Sequence, residues 1–134
     1  MINPQFLDLI KKDFPSYVFK DGPKFAFRPP KTIYIGPSEE HDSILLLHEL
    51  GHAILGHVNF NTDPERLKME CAAWEKARAL AIKYGVDFDE DLMQDELDTY
   101  RNWLDKKSRC KKCGLTRYQT PDGTYHCPRC ENYE

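Results

Sequence analysis

Residues 48–52 read His48-Glu49-Leu50-Gly51-His52, an H-E-x-x-H pentapeptide. It lies in an apolar run whose spacing predicts a helix from about Ser38 to His57. Residues four apart share one helix face, so His48 and His52 can turn two imidazoles toward a single ion. Glu49 is rotated by about 100° and is better placed to reach a water bound to that ion than to join its first shell. Two histidine ligands with a carboxylate base are the layout of zinc-assisted hydrolysis. Ile44, Leu45, Leu46, Leu47 and Leu50, followed by Ala53, Ile54 and Leu55, predict a buried helix. Two histidines and a glutamate on a buried helix need partners, and a metal supplies them.

Upstream, Asn3 and Pro4 suit the cap and first turn of a short helix over residues 3–14, with Phe6, Leu7, Ile10 and Phe14 as its stripe. Tyr17–Phe19, Phe25–Phe27 and Lys31–Ile35 read as strands punctuated by Asp21-Gly22-Pro23, Pro29-Pro30 and Gly36-Pro37. They predict a small antiparallel sheet of two or three strands. Its last strand runs into the metal-binding helix, and an edge strand there can add an extended peptide or simply cover the helix. Ser38 reads as the N-cap of that helix, with Glu39 and Glu40 in the first turn. His41 lies two turns before His48 and reads as a surface histidine, while Gly56 marks the helix end.

A catalytic zinc usually takes three protein ligands and a water. The next helix, capped by Thr62 or Asp63 and ended by Gly85, carries Glu70 within the apolar stripe of Ala73, Trp74 and Ala77. A carboxylate there is paired or bound to metal. Glu70 is therefore the third ligand expected, against a structural ion pair. His57 is a lesser candidate that depends on a bend at Gly56. Cys71 reads as a small buried hydrophobe. A last helix spans Asp87 to Lys107, with Leu92, Met93, Leu97, Tyr100, Trp103 and Leu104 as its stripe.

The tail carries Cys110-x-x-Cys113 and Cys127-x-x-Cys130, thirteen residues apart, around a hairpin signal at Pro121-Asp122-Gly123. This spacing predicts a closed Cys₄ zinc site, structural because it has no open position. His126 is an alternative ligand. Two zinc ions are therefore expected, one catalytic and one structural. The 134 residues divide as 1–105 and 106–134. The first part carries 12 Lys/Arg against 19 Asp/Glu, the second 7 against 3. The basic tail is too weakly charged to argue nucleic-acid binding by itself, so any such association would be weak or indirect, through the ribbon. No signal peptide or membrane span is legible, which makes a cytoplasmic location the expectation.

Together, His48-Glu49-Leu50-Gly51-His52, Gly56-His57 and Glu70-Cys71-Ala72-Ala73-Trp74 resemble the ImmA/IrrE-type metallopeptidases over roughly residues 30–85. The resemblance implies an α+β fold with a zincin-like helical core and small sheet. It also implies Glu70 as third zinc ligand, and a cytoplasmic peptidase whose protein substrate is a repressor or DNA-associated protein of a phage or mobile element. That family usually lacks a Cys₄ tail. The tail is similar to that of SprT-like proteases, which pair H-E-x-x-H with a zinc ribbon and act on DNA-bound proteins. Their third ligand is a downstream histidine, whereas only His57 and His126 follow His52 here. A zinc-dependent binding module without catalysis is the reading from a different class, and an intact Glu49 argues against it.

Overall fold

The first helix, α1 (Pro4–Asp13), begins where a side chain can replace its missing backbone partners. Asn3 Oδ1 accepts from the amides of Gln5 (2.9 Å) and Phe6 (3.3 Å), and Pro4 takes the first position, where no N–H is needed. The computed structural model describes residues 2–131, and among them the chain is α+β. Ile10 of α1 is fully buried.

Three strands follow: β1 (Val18–Asp21), β2 (Ala26–Arg28) and β3 (Thr32–Ile35). Their order is β1-β3-β2, with β2 antiparallel to β3 and β1 parallel to it. The sheet is thus mixed and not wholly antiparallel. The turn at Asp21-Gly22-Pro23 does not close a hairpin between β1 and β2. Instead β3 takes the centre, because Ile33 is fully buried and can bond on both sides. Lys20, Asp21 and Arg28 place charge on the outer strands, where it discourages further pairing. The Gly22 amide prolongs the ladder by donating to the Ile35 carbonyl at 2.9 Å.

Helix α2 spans Asp42–Ile54 and packs on β2 and β3. It starts at Asp42 and not at Ser38. His41 occupies the cap with no side-chain cap bond, and residues 36–39 are neither helix nor strand. Asp42 then supplies the first-turn carboxylate that suits the helix dipole. Ile44, Leu46, Leu47, Leu50, Gly51, His52 and Ala53 are all buried, as the apolar run demanded, whereas Leu45 and Ile54 are half-buried and Leu55, just past the helix, is exposed.

Helix α3 (Asp63–Tyr84) ends at Gly85, whose φ of +67° is the left-handed turn the sequence signalled. Helix α4 covers Glu90–Ser108 and buries Met93 and Leu97. A hairpin of β4 (Tyr118–Gln119) and β5 (Tyr125–His126) completes the described chain, its turn made by Gly123 at φ +88°. No helix among the described residues is long and apolar enough to cross a membrane.

The residues cluster into two compact units. One comprises the chain up to Val58 together with Cys71–Glu90, the other Asn59–Glu70 and the chain from Asp91 onward. Within the second unit, buried Asp63 accepts from the Tyr125 hydroxyl and pairs with Lys107 at 3.0 Å, while its amide donates to Gln119 Oε1 at 2.6 Å. The hairpin is thus tied to the first turn of α3. Arg66 adds contacts with the rings of Phe60, Tyr100 and Trp103, at 5.6, 5.4 and 4.9 Å from their centroids.

Candidate metal centres

Helical periodicity brings His48 and His52 one above the other in α2, with ring centroids 4.7 Å apart. Donor atoms of His48, Glu49 and His52 all lie within 4.8 Å of one another, so the three form a group that can hold a metal ion. That spacing suits donors converging on one ion, since nitrogen and oxygen ligands bind zinc at about 2.0–2.2 Å. Glu49 Oε2 stands 3.6 Å from His48 Nδ1, beyond hydrogen-bond reach. The two side chains are only 12% and 14% exposed, so the carboxylate is nearly buried.

Two features hold this helix face in place. Trp74 of α3 is fully buried and stacks on His48, with centroids 4.3 Å apart and planes 13° from parallel. The stack limits rotation of the His48 ring. Gly51, inside the pentapeptide, lies against Ala73: a Cβ built there would fall 2.7 Å from the Ala73 carbonyl oxygen. A glycine in a helix interior costs about 1 kcal/mol relative to alanine, and here it permits the close approach of the two helices. Neither role is legible from residue type alone. The only signals are an unforced glycine in a helix and an aromatic next to small residues.

The end of α2 places His57. Gly56 is left-handed at φ +69°. Its amide donates to the Ala53 carbonyl at 3.1 Å, and the His57 amide donates to the His52 carbonyl at 3.0 Å. These are the paired bonds of a Schellman motif, in which the residue after the glycine returns to the third residue from the helix end. Those two positions ordinarily share an apolar contact. Here they are His57 and His52, and their Nδ1 atoms are 2.8 Å apart.

Glu70 is 8% exposed and belongs to the segment of α3 in the second unit. It is not a member of the His48–Glu49–His52 group. It precedes Ala73 and Trp74 by three and four residues in one continuous helix, hence by one turn on the same face. His41 pairs with Asp89 at 3.6 Å and is no part of the group.

The second group is formed by Cys110, Cys113, Cys127 and Cys130. Their Sγ atoms approach to 3.9 Å (Cys110–Cys130) and 3.5 Å (Cys113–Cys127). Four sulfurs bonded tetrahedrally to zinc at about 2.3 Å stand roughly 3.8 Å apart, so the cluster fits such an ion. Backbone amides of Cys113 and Lys112 hold the Cys110 thiol down at about 6. The Cys130 amide, which donates to Cys127 Sγ at 3.4 Å, lowers Cys127 likewise. Burial among its neighbours pushes Cys130 up to about 12. A cation within the cluster removes that last penalty, since a coordinating thiol is deprotonated outright. His126 faces away into its own contacts, with Nδ1 2.7 Å from Glu131 Oε2 and the ring stacked on Tyr118, and is not one of the four.

Comparison with protein-family models, curated proteins and solved structures gave no match.

Proposed function

We propose that the chain is a zinc-dependent metallopeptidase whose catalytic ion is held by His48, His52 and Glu70, and that the Cys₄ ribbon carries a second, structural zinc. The observation that carries this reading is the gathering of His48, Glu49 and His52 donors within 4.8 Å on a nearly buried helix face. Glu70 is assigned as third ligand because it is a buried carboxylate and because the resemblance implies that role for it.

When bound, zinc would polarise the scissile carbonyl and lower the pKa of the attacking water to about 7. The chain's own residues do the rest. His48 and His52 present ring nitrogens from successive turns, and Trp74 keeps the His48 ring from rotating away. The Glu49 carboxylate takes the proton of the attacking water and delivers it to the leaving amide nitrogen. Its near burial keeps bulk water from competing for that proton. Zinc also matches the donor chemistry of both groups, imidazole with carboxylate in one and thiolate in the other. The substrate class is a protein, with repressors or DNA-associated proteins as the expectation that the resemblance supports.

The test uses Glu49→Gln on the full chain. The variant keeps the shape and removes the base, so it should capture proteins that the wild type then cleaves in a purified reaction. Capture without cleavage by zinc-loaded wild type would replace the peptidase with a binding module.

A further inference from the structure

We infer that His57 is a positioning residue: its Nδ1 accepts a hydrogen bond from His52 Nδ1–H and so fixes the tautomer in which His52 offers Nε2 to a metal. The inference rests on the metal-site reading above. The 2.8 Å separation requires one proton between the two Nδ1 atoms, since two lone pairs or two N–H groups would repel there. His57 also stands outside the His48–Glu49–His52 group whose donor atoms gather within 4.8 Å of one another, so the pair is a hydrogen bond and not two co-ligands.

The direction of donation follows from what His52 must do. With Nδ1 engaged, ligation falls to Nε2, which must then carry a lone pair, so the proton resides on His52 Nδ1. Metal-bound histidines almost always donate their other N–H to an acceptor that orients the ring. That acceptor is usually a carboxylate or carbonyl. Here it is a second imidazole, delivered by backbone geometry. The Schellman bonds at Gly56 and His57 fix the two residues relative to each other whatever their side chains. His52 is 9% exposed and His57 half-buried, so solvent competes weakly for the bond.

The experiment measures zinc affinity at this site by competition with a chromophoric chelator, on full-length protein whose ribbon is already loaded. His57→Leu keeps the apolar contact a Schellman motif tolerates but removes the acceptor, and should weaken zinc binding roughly 10–100-fold. His57→Asn returns an acceptor oxygen at the place of Nδ1 and should restore affinity to within a few-fold of wild type. Long-range proton–nitrogen NMR of wild type with zinc only in the ribbon should show His52 protonated on Nδ1. Unchanged affinity in His57→Leu, an Asn variant as weak as the Leu variant, or His52 protonated on Nε2 would each overturn the inference. A wild type that takes up no zinc beyond the ribbon would refute the metal-site reading instead, and the NMR measurement would still decide the hydrogen bond.

Discussion

The indole of Trp74 lies flat on the imidazole of His48, 4.3 Å between centroids and 13° from parallel. The His48 side chain is thereby oriented by packing, with no hydrogen bond required of the tryptophan. Trp74→Phe keeps a ring in the stack and should retain most metal affinity. Trp74→Ala opens a cavity in a fully buried position and should cost about 3–5 kcal/mol of stability. Thermal unfolding and zinc titration of both variants check this. A Trp74→Ala chain as stable as wild type would contradict the packing described.

Gly51 is expected to resist substitution for a different reason. A methyl group there meets the Ala73 carbonyl oxygen at 2.7 Å, and backbone must move to admit it. Gly51→Ala gains helix propensity yet should destabilise by about 1–3 kcal/mol, the usual cost of overpacking. Denaturant unfolding decides the sign, and a stabilised variant would show that α2 and α3 can part without loss.

Much of this was legible in the sequence. The pentapeptide, the paired cysteines, Asn3-Pro4, Gly56, Gly85 and the Asp122-Gly123 turn all announce structure through local chemistry. The failures lie where partner choice is tertiary. Asp21-Gly22-Pro23 looks like a hairpin turn, but β1 reaches past β2 to pair in parallel with β3, because the most buried strand takes the middle. Ser38 looks like an N-cap, but the helix begins at Asp42, with His41 at the cap. Of the two cap candidates, Thr62 precedes the helix, which begins at Asp63, while the Asp63 carboxylate is engaged by Tyr125 and Lys107, more than 40 residues along the chain. The bend at Gly56 on which His57 depends is present, at φ +69°, but it brings His57 to the Nδ1 of His52 and not into the His48–Glu49–His52 group.

Disruption of the Cys₄ cluster should reach further than the cysteines. Tyr125 and Gln119 of the hairpin contact Asp63, so Cys113→Ser with Cys130→Ser should release one metal ion. It should also loosen the first turn of α3, read as faster amide exchange at Asn61–Arg66. Exchange confined to residues 108–131 would show the ribbon to be independent.

The same contact predicts an acid limit. Burial alone would raise the Asp63 pKa, but the hydrogen bond from Tyr125 and the charge of Lys107 outweigh it and leave it below the ordinary 3.8. A depressed carboxylate contributes stability above its unfolded pKa and loses it as pH falls through the folded value. The second unit should therefore hold at pH 5 and weaken below about pH 4, and Asp63→Asn should flatten that dependence. Tyr125→Phe, which removes a hydrogen bond to a charged group, should cost about 1.5–3 kcal/mol at neutral pH. An acid profile unchanged in Asp63→Asn would assign the transition to other carboxylates.

Glu49 lies close enough to His48 and His52 to be either base or ligand, and the metal content of purified Glu49→Gln separates the two. As a base, Glu49 is dispensable for binding, so the variant should carry two zinc ions per chain, as the wild type should, while His52→Ala carries one. A Glu49→Gln chain holding a single zinc, alongside a wild type holding two, would make Glu49 a ligand and contradict the hydrolytic centre.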